Sequence, residues 1–197
     1  MMATYPSDSP ESDYLEFRRM KSTDYKQLVN IKGSIMILIF YAFAYFGCES
    51  QKKERPSPLR ADSTQFGSAK LKIEFSSPAV NGRVIWGELV AYDQMWRTGA
   101  NEATIFSTSE DIRLAGKPID EGKYAVFTIP SAHEWTIIFN DQWNQWGTYN
   151  YDSTHDVLHV KVTPRKTAEF SERMKFYFKD DSLKFHWEKL AFSLALE

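Results

Sequence analysis

Ala69-Lys70-Leu71-Lys72-Ile73-Glu74-Phe75 alternates apolar and charged side chains one for one. On an extended backbone successive side chains point to opposite faces, so Leu71, Ile73 and Phe75 share a dry face while Lys70, Lys72 and Glu74 meet water. The stretch reads as a half-buried strand. Runs of the same kind occupy 103–107, 110–115, 123–129, 134–140, 156–163, 172–179, 183–188 and 190–196, with Gly, Pro, Asp and Asn clusters between them. Short strands at this spacing predict an all-β fold, a jelly-roll-like antiparallel β-sandwich over residues 69–197. Ala115-Gly116-Lys117 and Asp120-Glu121-Gly122 supply turn residues around Pro118, and Asp180-Asp181 reads as a hairpin tip between two aromatic strands. Helical periodicity is weak, and Gly87 to Met95 has room for one or two turns of helix at most. In the last two runs Phe185, Trp187, Leu190, Phe192, Leu194 and Leu196 alternate and are expected to close the core.

Composition agrees with one such domain. The chain has 197 residues, 43% hydrophobic and 25% charged, enough for one ordinary core and too little for two. Aromatic residues reach 15%, a bias that suits pleated, half-buried surfaces. With 24 basic against 26 acidic side chains the net charge is -2, which lacks the cationic field that holds proteins on phosphate backbones; no nucleic-acid partner is expected. A single cysteine makes no internal disulfide.

Residues 35–47, Ile-Met-Ile-Leu-Ile-Phe-Tyr-Ala-Phe-Ala-Tyr-Phe-Gly, are uncharged and apolar. The run is short for a bilayer span of about 20 residues and matches the apolar region of a secretory signal. Upstream, Lys21, Lys26 and Lys32 against Asp24 alone give the basic leader such signals carry if the chain starts at Met20. Residues 20–47 are therefore expected to be a signal peptide, and residues 1–19 an artefactual or disordered extension. Cys48 after Gly47 resembles the cleavage box of bacterial lipoproteins, in which the cysteine becomes the lipidated first residue, although Tyr45 stands where that box usually has Leu. The alternatives are a conventional cut nearby or an uncleaved anchor. Residues 48–68 hold Lys52, Lys53, Glu54, Arg55, Pro56, Pro58, Arg60 and Asp62 with only Leu59 and Phe66 as large apolar residues, so they read as a lipid-anchored flexible linker. The chain is expected to be exported, periplasmic or attached to the outer membrane.

Two segments put large or charged side chains where turns normally carry small polar ones. In Trp96-Arg97-Thr98-Gly99-Ala100-Asn101-Glu102, Gly99 permits a tight or left-handed backbone, and Arg97, Asn101 and Glu102 can converge on a ligand through fork hydrogen bonds and an acceptor carboxylate. Equally, Arg97 and Glu102 can pair and lock a long connection. In Trp143-Asn144-Gln145-Trp146-Gly147-Thr148-Tyr149-Asn150-Tyr151-Asp152, Trp143, Trp146 and Tyr149 interleaved with Asn144 and other amides have the composition of a sugar-stacking platform, or of a plug for the open end of the sandwich. His155 and His159, four apart on a strand, stand about 13 Å apart and share a face without sharing an ion. His133 and His186 belong to no metal or nucleophile motif. No metal and no cofactor is expected. Glu88 and Glu102 are the carboxylates on which a glycoside hydrolase would have to be built, given a separation of about 5 to 10 Å.

Ser76-Ser77-Pro78-Ala79-Val80-Asn81-Gly82-Arg83, the Trp96–Thr104 stretch, Gly122-Lys123-Tyr124-Ala125-Val126-Phe127-Thr128-Ile129-Pro130 and the 143–151 stretch together resemble the bacterial domain-of-unknown-function family 2911, over nearly the whole of 69–197. The resemblance implies an exported or lipid-anchored Gram-negative protein of β-sandwich fold and brings no activity with it. Its recurrent motif residues fall on Arg97, Gly99, Asn101 and Glu102 and on Trp143, Asn144 and Trp146. The expectation is a non-catalytic cell-envelope module that binds a glycan or small polar ligand, with Trp143, Trp146 and Tyr149 stacking and Arg97, Asn101 and Glu102 making polar contacts. A hydrolase acting on envelope or dietary glycans and a structural module of an envelope assembly are the rival readings. Oligomeric state is left open.

Overall fold

The structure, a computed structural model, describes residues 54–197. The expected extension over 1–19, the leader over 20–47, Cys48 and the linker as far as residue 53 lie outside the described residues. The ten strands are β1 (Leu59–Phe66), β2 (Ala69–Ser76), β3 (Thr104–Thr108), β4 (Ile112–Leu114), β5 (Lys117–Ile119), β6 (Gly122–Ile129), β7 (Trp135–Asn140), β8 (Asp156–Val162), β9 (Arg165–Phe178) and β10 (Ser182–Ala195). One sheet has six strands in the order β1-β2-β3-β6-β7-β8, every neighbour antiparallel. The β9–β10 hairpin lies over it as the second layer. The small β4–β5 hairpin joins that layer at the carboxyl end, where Arg113 and Glu197 exchange backbone hydrogen bonds of 2.8 and 2.9 Å.

The alternation of β2 is realised: Leu71, Ile73 and Phe75 are buried and Lys70 and Lys72 exposed. Phe106, Val126, Trp135, Ile137, Phe139, Leu158 and Val160 extend the same dry face across the sheet. Opposite them, Met174, Phe176, Leu183, Phe185, Trp187, Phe192 and Leu194 come down from β9 and β10. Aromatic contacts weld the layers, with ring centroids 5.5 Å apart for Phe75–Phe176, 5.9 Å for Trp135–Phe185 and 5.8 Å for Trp135–Phe192. The fold is the expected antiparallel sandwich.

Three local expectations are corrected. The folded body starts before residue 69, because β1 lies inside the stretch read as a linker and pairs with β2 from Leu59↔Ser76 to Phe66↔Ala69. An edge strand can be held by its backbone ladder with little apolar burial; Leu59 is 57% exposed, while the Asp62 carboxylate accepts the Phe178 backbone N–H at 2.7 Å. The last two runs form one strand, β10, kinked by register shifts around Glu188, whose φ is 55°. Gly87–Met95 forms turns and bridges with no helix. The Asp180-Asp181 tip is as read: both residues have φ near +50° and Lys179 N donates to Ser182 O at 3.0 Å.

The outer face of the sheet has a smaller cluster of its own. Ala103, Ala125, Phe127 and Ile138 are buried there, with Met95, Ile129 and Tyr151 packed over them.

Candidate functional site

Trp96 continues the main sheet: it exchanges backbone hydrogen bonds of 2.8 Å in both directions with Thr128. The chain then leaves the sheet and returns at Thr104, whose N–H donates to the Arg97 carbonyl at 3.2 Å and closes the excursion. The left-handed residues in it are Thr98 (φ 55°) and Asn101 (φ 59°); Gly99 is not among them. A β-branched residue in that region is strained, and Thr98 is held there by its neighbours. Its hydroxyl meets the Thr128 hydroxyl at 2.9 Å, and its carbonyl accepts the Thr104 hydroxyl at 2.7 Å. Gly99 has a different job: a Cβ there would stand 3.1 Å from the Ser76 carbonyl oxygen and 3.2 Å from Thr104 Oγ1, so glycine lets the two strands' ends approach without displacing either atom.

Arg97 and Glu102 do not pair with each other. The Glu102 carboxylate accepts two hydrogen bonds from Arg55 Nη2, at 2.9 and 2.7 Å, and one from Ser76 Oγ at 3.0 Å. Those bonds, the Arg55 bond first, hold its pKa below the usual carboxylate value against the opposing effect of burial. Asn101 Nδ2 lies 3.5 Å from Ser76 Oγ, at the limit of hydrogen bonding. Arg97 turns the other way, into a hollow of about 210 Å³ shared with Arg83, Trp96, Gly99 and Trp187. Its Nε is buried without an acceptor.

The aromatic loop is fastened to this excursion by backbone: Ala103 N donates to Gln145 O at 3.0 Å, and Gly147 N to Asn101 O at 3.1 Å. Its root is the buried Gln145, whose Nε2 donates to Asn140 Oδ1 at 3.1 Å and to the Gln142 carbonyl at 2.6 Å. Asn140, fully buried at the end of β7, also accepts the Gln142 N–H and donates to the Asp152 carbonyl and to Asp156 Oδ1. The loop's aromatic residues then divide into one that packs on the sheet and three that stay exposed. Tyr151 packs on the outer face of the sheet and not in the sandwich's open end: its ring meets Phe127 edge-on at 5.0 Å, and its hydroxyl donates to Asp156 Oδ2 at 2.6 Å. Desolvation first, and that hydrogen bond second, push its pKa well above that of a free phenol. Trp143, Trp146 and Tyr149 stay outside, 39%, 57% and 87% exposed. Trp143 and Asn144 line a shallow hollow of about 460 Å³ together with Gln142, Gln145 and Asn150. Lys123 Nζ stands 5.0 Å from the Trp143 ring, within cation–π range.

Of the seven expected ligand residues, Trp143 and Asn144 therefore share one hollow. Trp146 and Tyr149 line neither hollow, Trp146 being bridged to Glu102; Asn101 and Glu102 support the loop's base, and Arg97 belongs to a different cavity. Arg55, Lys123 and Trp187 enter these sites without a sequence signal of their own. Arg55 lay in the expected linker, and the alternation of β10 marked Trp187 only as core. Three of the four histidines have side-chain partners: His155 Nδ1 lies 2.6 Å from Asp141, His159 Nε2 lies 2.9 Å from Asp156, and His186 Nε2 contacts Glu169 O and Thr167 Oγ1. Among the described residues no three metal-ligating side chains converge.

Residues 57–196 match the model of the family described as protein of unknown function (DUF2911). No curated protein and no solved structure matches the chain.

Proposed function

We propose that this chain, which belongs to the DUF2911 family, is a non-catalytic module that binds a glycan on its aromatic loop. One observation carries the reading. Three large rings are held in solvent by a loop whose root is locked by the buried Gln145 and Asn140 into a hydrogen-bond network. Exposing Trp143, Trp146 and Tyr149 forgoes their burial, and an ordered root spares a ligand the entropy of organising the loop. Flat rings meet the apolar faces of pyranoses, while Asn144, Asn150 and Gln142 offer donors and acceptors to hydroxyls. Gln145, which lines the same hollow, also has a buried Oε1 without a donor.

A hydrolase fits less well. Glu102, the carboxylate it would use, is committed to Arg55 and Ser76 and kept ionised by them. In our reading the module is exported and tied to the cell envelope by a lipid on Cys48. With β1 beginning at Leu59, about ten residues separate that lipid from the sandwich, a reach of at most ~35 Å, so the platform would work close to the membrane surface.

The test is a glycan array followed by titration of the hits into the full chain. Binding should disappear in Trp143→Ala with Trp146→Ala while the circular dichroism and melting temperature of the domain stay as they were. Glycan-independent capture of a protein by the same rings would replace this reading with the envelope-assembly one, and unfolding of the double variant would make the rings structural.

A further inference from the structure

The hollow beside Arg97 has its own chemistry, and it does not depend on the glycan reading, because the aromatic loop lines a different cavity. Two guanidinium groups, Arg83 and Arg97, line it, and no carboxylate does. Arg83 is already engaged, with Nη2 donating to Ala79 O at 2.6 Å and Nε to Val80 O at 3.0 Å. Arg97 Nε and Trp187 Nε1 are buried and have no acceptor in the protein. Buried N–H groups are almost always paired, so two orphans on residues that line one cavity point to an acceptor that arrives from outside, toward which a small turn of each side chain would bring its N–H. Part of the walls is apolar: Trp96 and Trp187 stack with centroids 5.9 Å apart and planes 21° apart, with Pro78, Leu89 and Val90 also in the lining. Such walls lower the local dielectric and strengthen a charge-assisted hydrogen bond made inside them. The rim is open where Arg83 and Leu89 are exposed. At about 210 Å³ the hollow takes a compact molecule and excludes a polymer chain.

We propose that this hollow binds a small organic anion through a carboxylate or phosphate group, whose oxygens accept the Arg97 Nε–H and the Trp187 indole N–H. Arg97 supplies the opposite charge and Trp187 the second donor, and neither has to break an existing bond to do so.

The experiment uses the full chain labelled with ¹⁵N, and the Trp187 indole signal assigned through its backbone. Sodium acetate and inorganic phosphate are titrated in turn against sodium chloride at matched ionic strength. At least one of the two oxyanions should shift the Trp187 indole proton saturably, where chloride does not. Arg97→Gln should raise the half-saturation concentration about tenfold or more, the ordinary consequence of losing a charged hydrogen-bond partner. Response to phosphate alone assigns a phosphoryl ligand, and to acetate alone a carboxylate. An unshifted Trp187 indole with both anions, a shift matched by chloride, or equal affinity in a folded Arg97→Gln would overturn the proposal. If that variant does not fold, the wild-type titration decides by itself.

Discussion

Gly99→Ala separates steric from conformational reasons for a glycine, and the structure sets its magnitude. A Cβ at Gly99 would meet Ser76 O at 3.1 Å and Thr104 Oγ1 at 3.2 Å, a few tenths of an ångström inside ordinary contact, with Met174 Cε at 3.5 Å behind them. Neither oxygen can retreat freely. Ser76 O is backbone at the end of β2 and accepts the Ala100 N–H at 3.3 Å; Thr104 Oγ1, on a fully buried residue, donates to Thr98 O at 2.7 Å. Inserting a methyl group into such packing costs about 1–3 kcal/mol. Removing glycine from the denatured chain returns about 0.4–1 kcal/mol, since φ at Gly99 lies outside the left-handed region. The expected net loss is about 1–2 kcal/mol, a fall of roughly 0.5–1 M in the urea midpoint for a domain of this size. Gly116 is the control: nothing lies within 4 Å of its Cβ position, but its φ is +78°. Asparagine, which tolerates that conformation, should therefore restore Gly116→Ala toward wild type, whereas Gly99→Asn should be worse than Gly99→Ala. A Gly99→Ala protein as stable as wild type, or an asparagine that rescues position 99, would refute the close-approach argument.

Two further perturbations test the core and the base of the excursion. Phe185, fully buried, faces Trp86, Trp96, Trp135, Phe176 and Phe192 with ring centroids between 4.8 and 6.4 Å, so Phe185→Ala should cost about 3–5 kcal/mol in urea unfolding; a loss under about 1 kcal/mol would contradict its place at the centre. Glu102 has a lowered folded-state pKa, so its contribution to stability is complete above its ordinary value of 4.5 and is lost as pH falls through the lower, folded value. Urea midpoints measured downward from pH 6 should show that acid loss in wild type and less of it in Glu102→Gln; because both partners are 40% exposed, high salt should shrink the difference, and a salt-independent difference would refute the ion pair as its source.

The parts of the fold visible in the sequence are those where a side chain's pattern and its burial coincide. β2 is the plain case, since every second residue from Ala69 to Phe75 is buried. β1 shows the opposite. Its inward residues Asp62, Thr64 and Phe66 are only half buried, and its cohesion comes from a backbone ladder to which composition gives no clue. The single strand β10 read as two because the bulge at Glu188 breaks the alternation without breaking the chain's direction. In the candidate site, residue types flagged both loops, but partners were set by long-range geometry. Glu102 finds Arg55, 47 positions upstream, in preference to Arg97 five residues away, and no local spacing encodes that choice. The aromatic loop was readable as platform or as plug of the sandwich's open end; Tyr151 packs instead on the outer cluster at Phe127, while the three rings before it stay exposed.

The separation of the two hollows follows from the pleat. Trp96 is bridged to Thr128, which places its ring on the inner face of the sheet against Trp187, and Arg97 stays on that side. At the other end of the excursion Ala103 points to the outer cluster with Ala125 and Phe127, and Glu102 is bridged to Trp146. Residues 97–103 thus have Arg97 at the inner hollow and Ala103 on the outer cluster, with a left-handed backbone at Thr98 and Asn101 between them. A ligand on Trp143 and one on Arg97 would approach from different sides of the same short segment. They need share no contact, yet both would feel its position through the Gly147 N–H bond to the Asn101 carbonyl and the Thr104 N–H bond to the Arg97 carbonyl. The segment whose residue types suggested one site stands, in three dimensions, between two hollows.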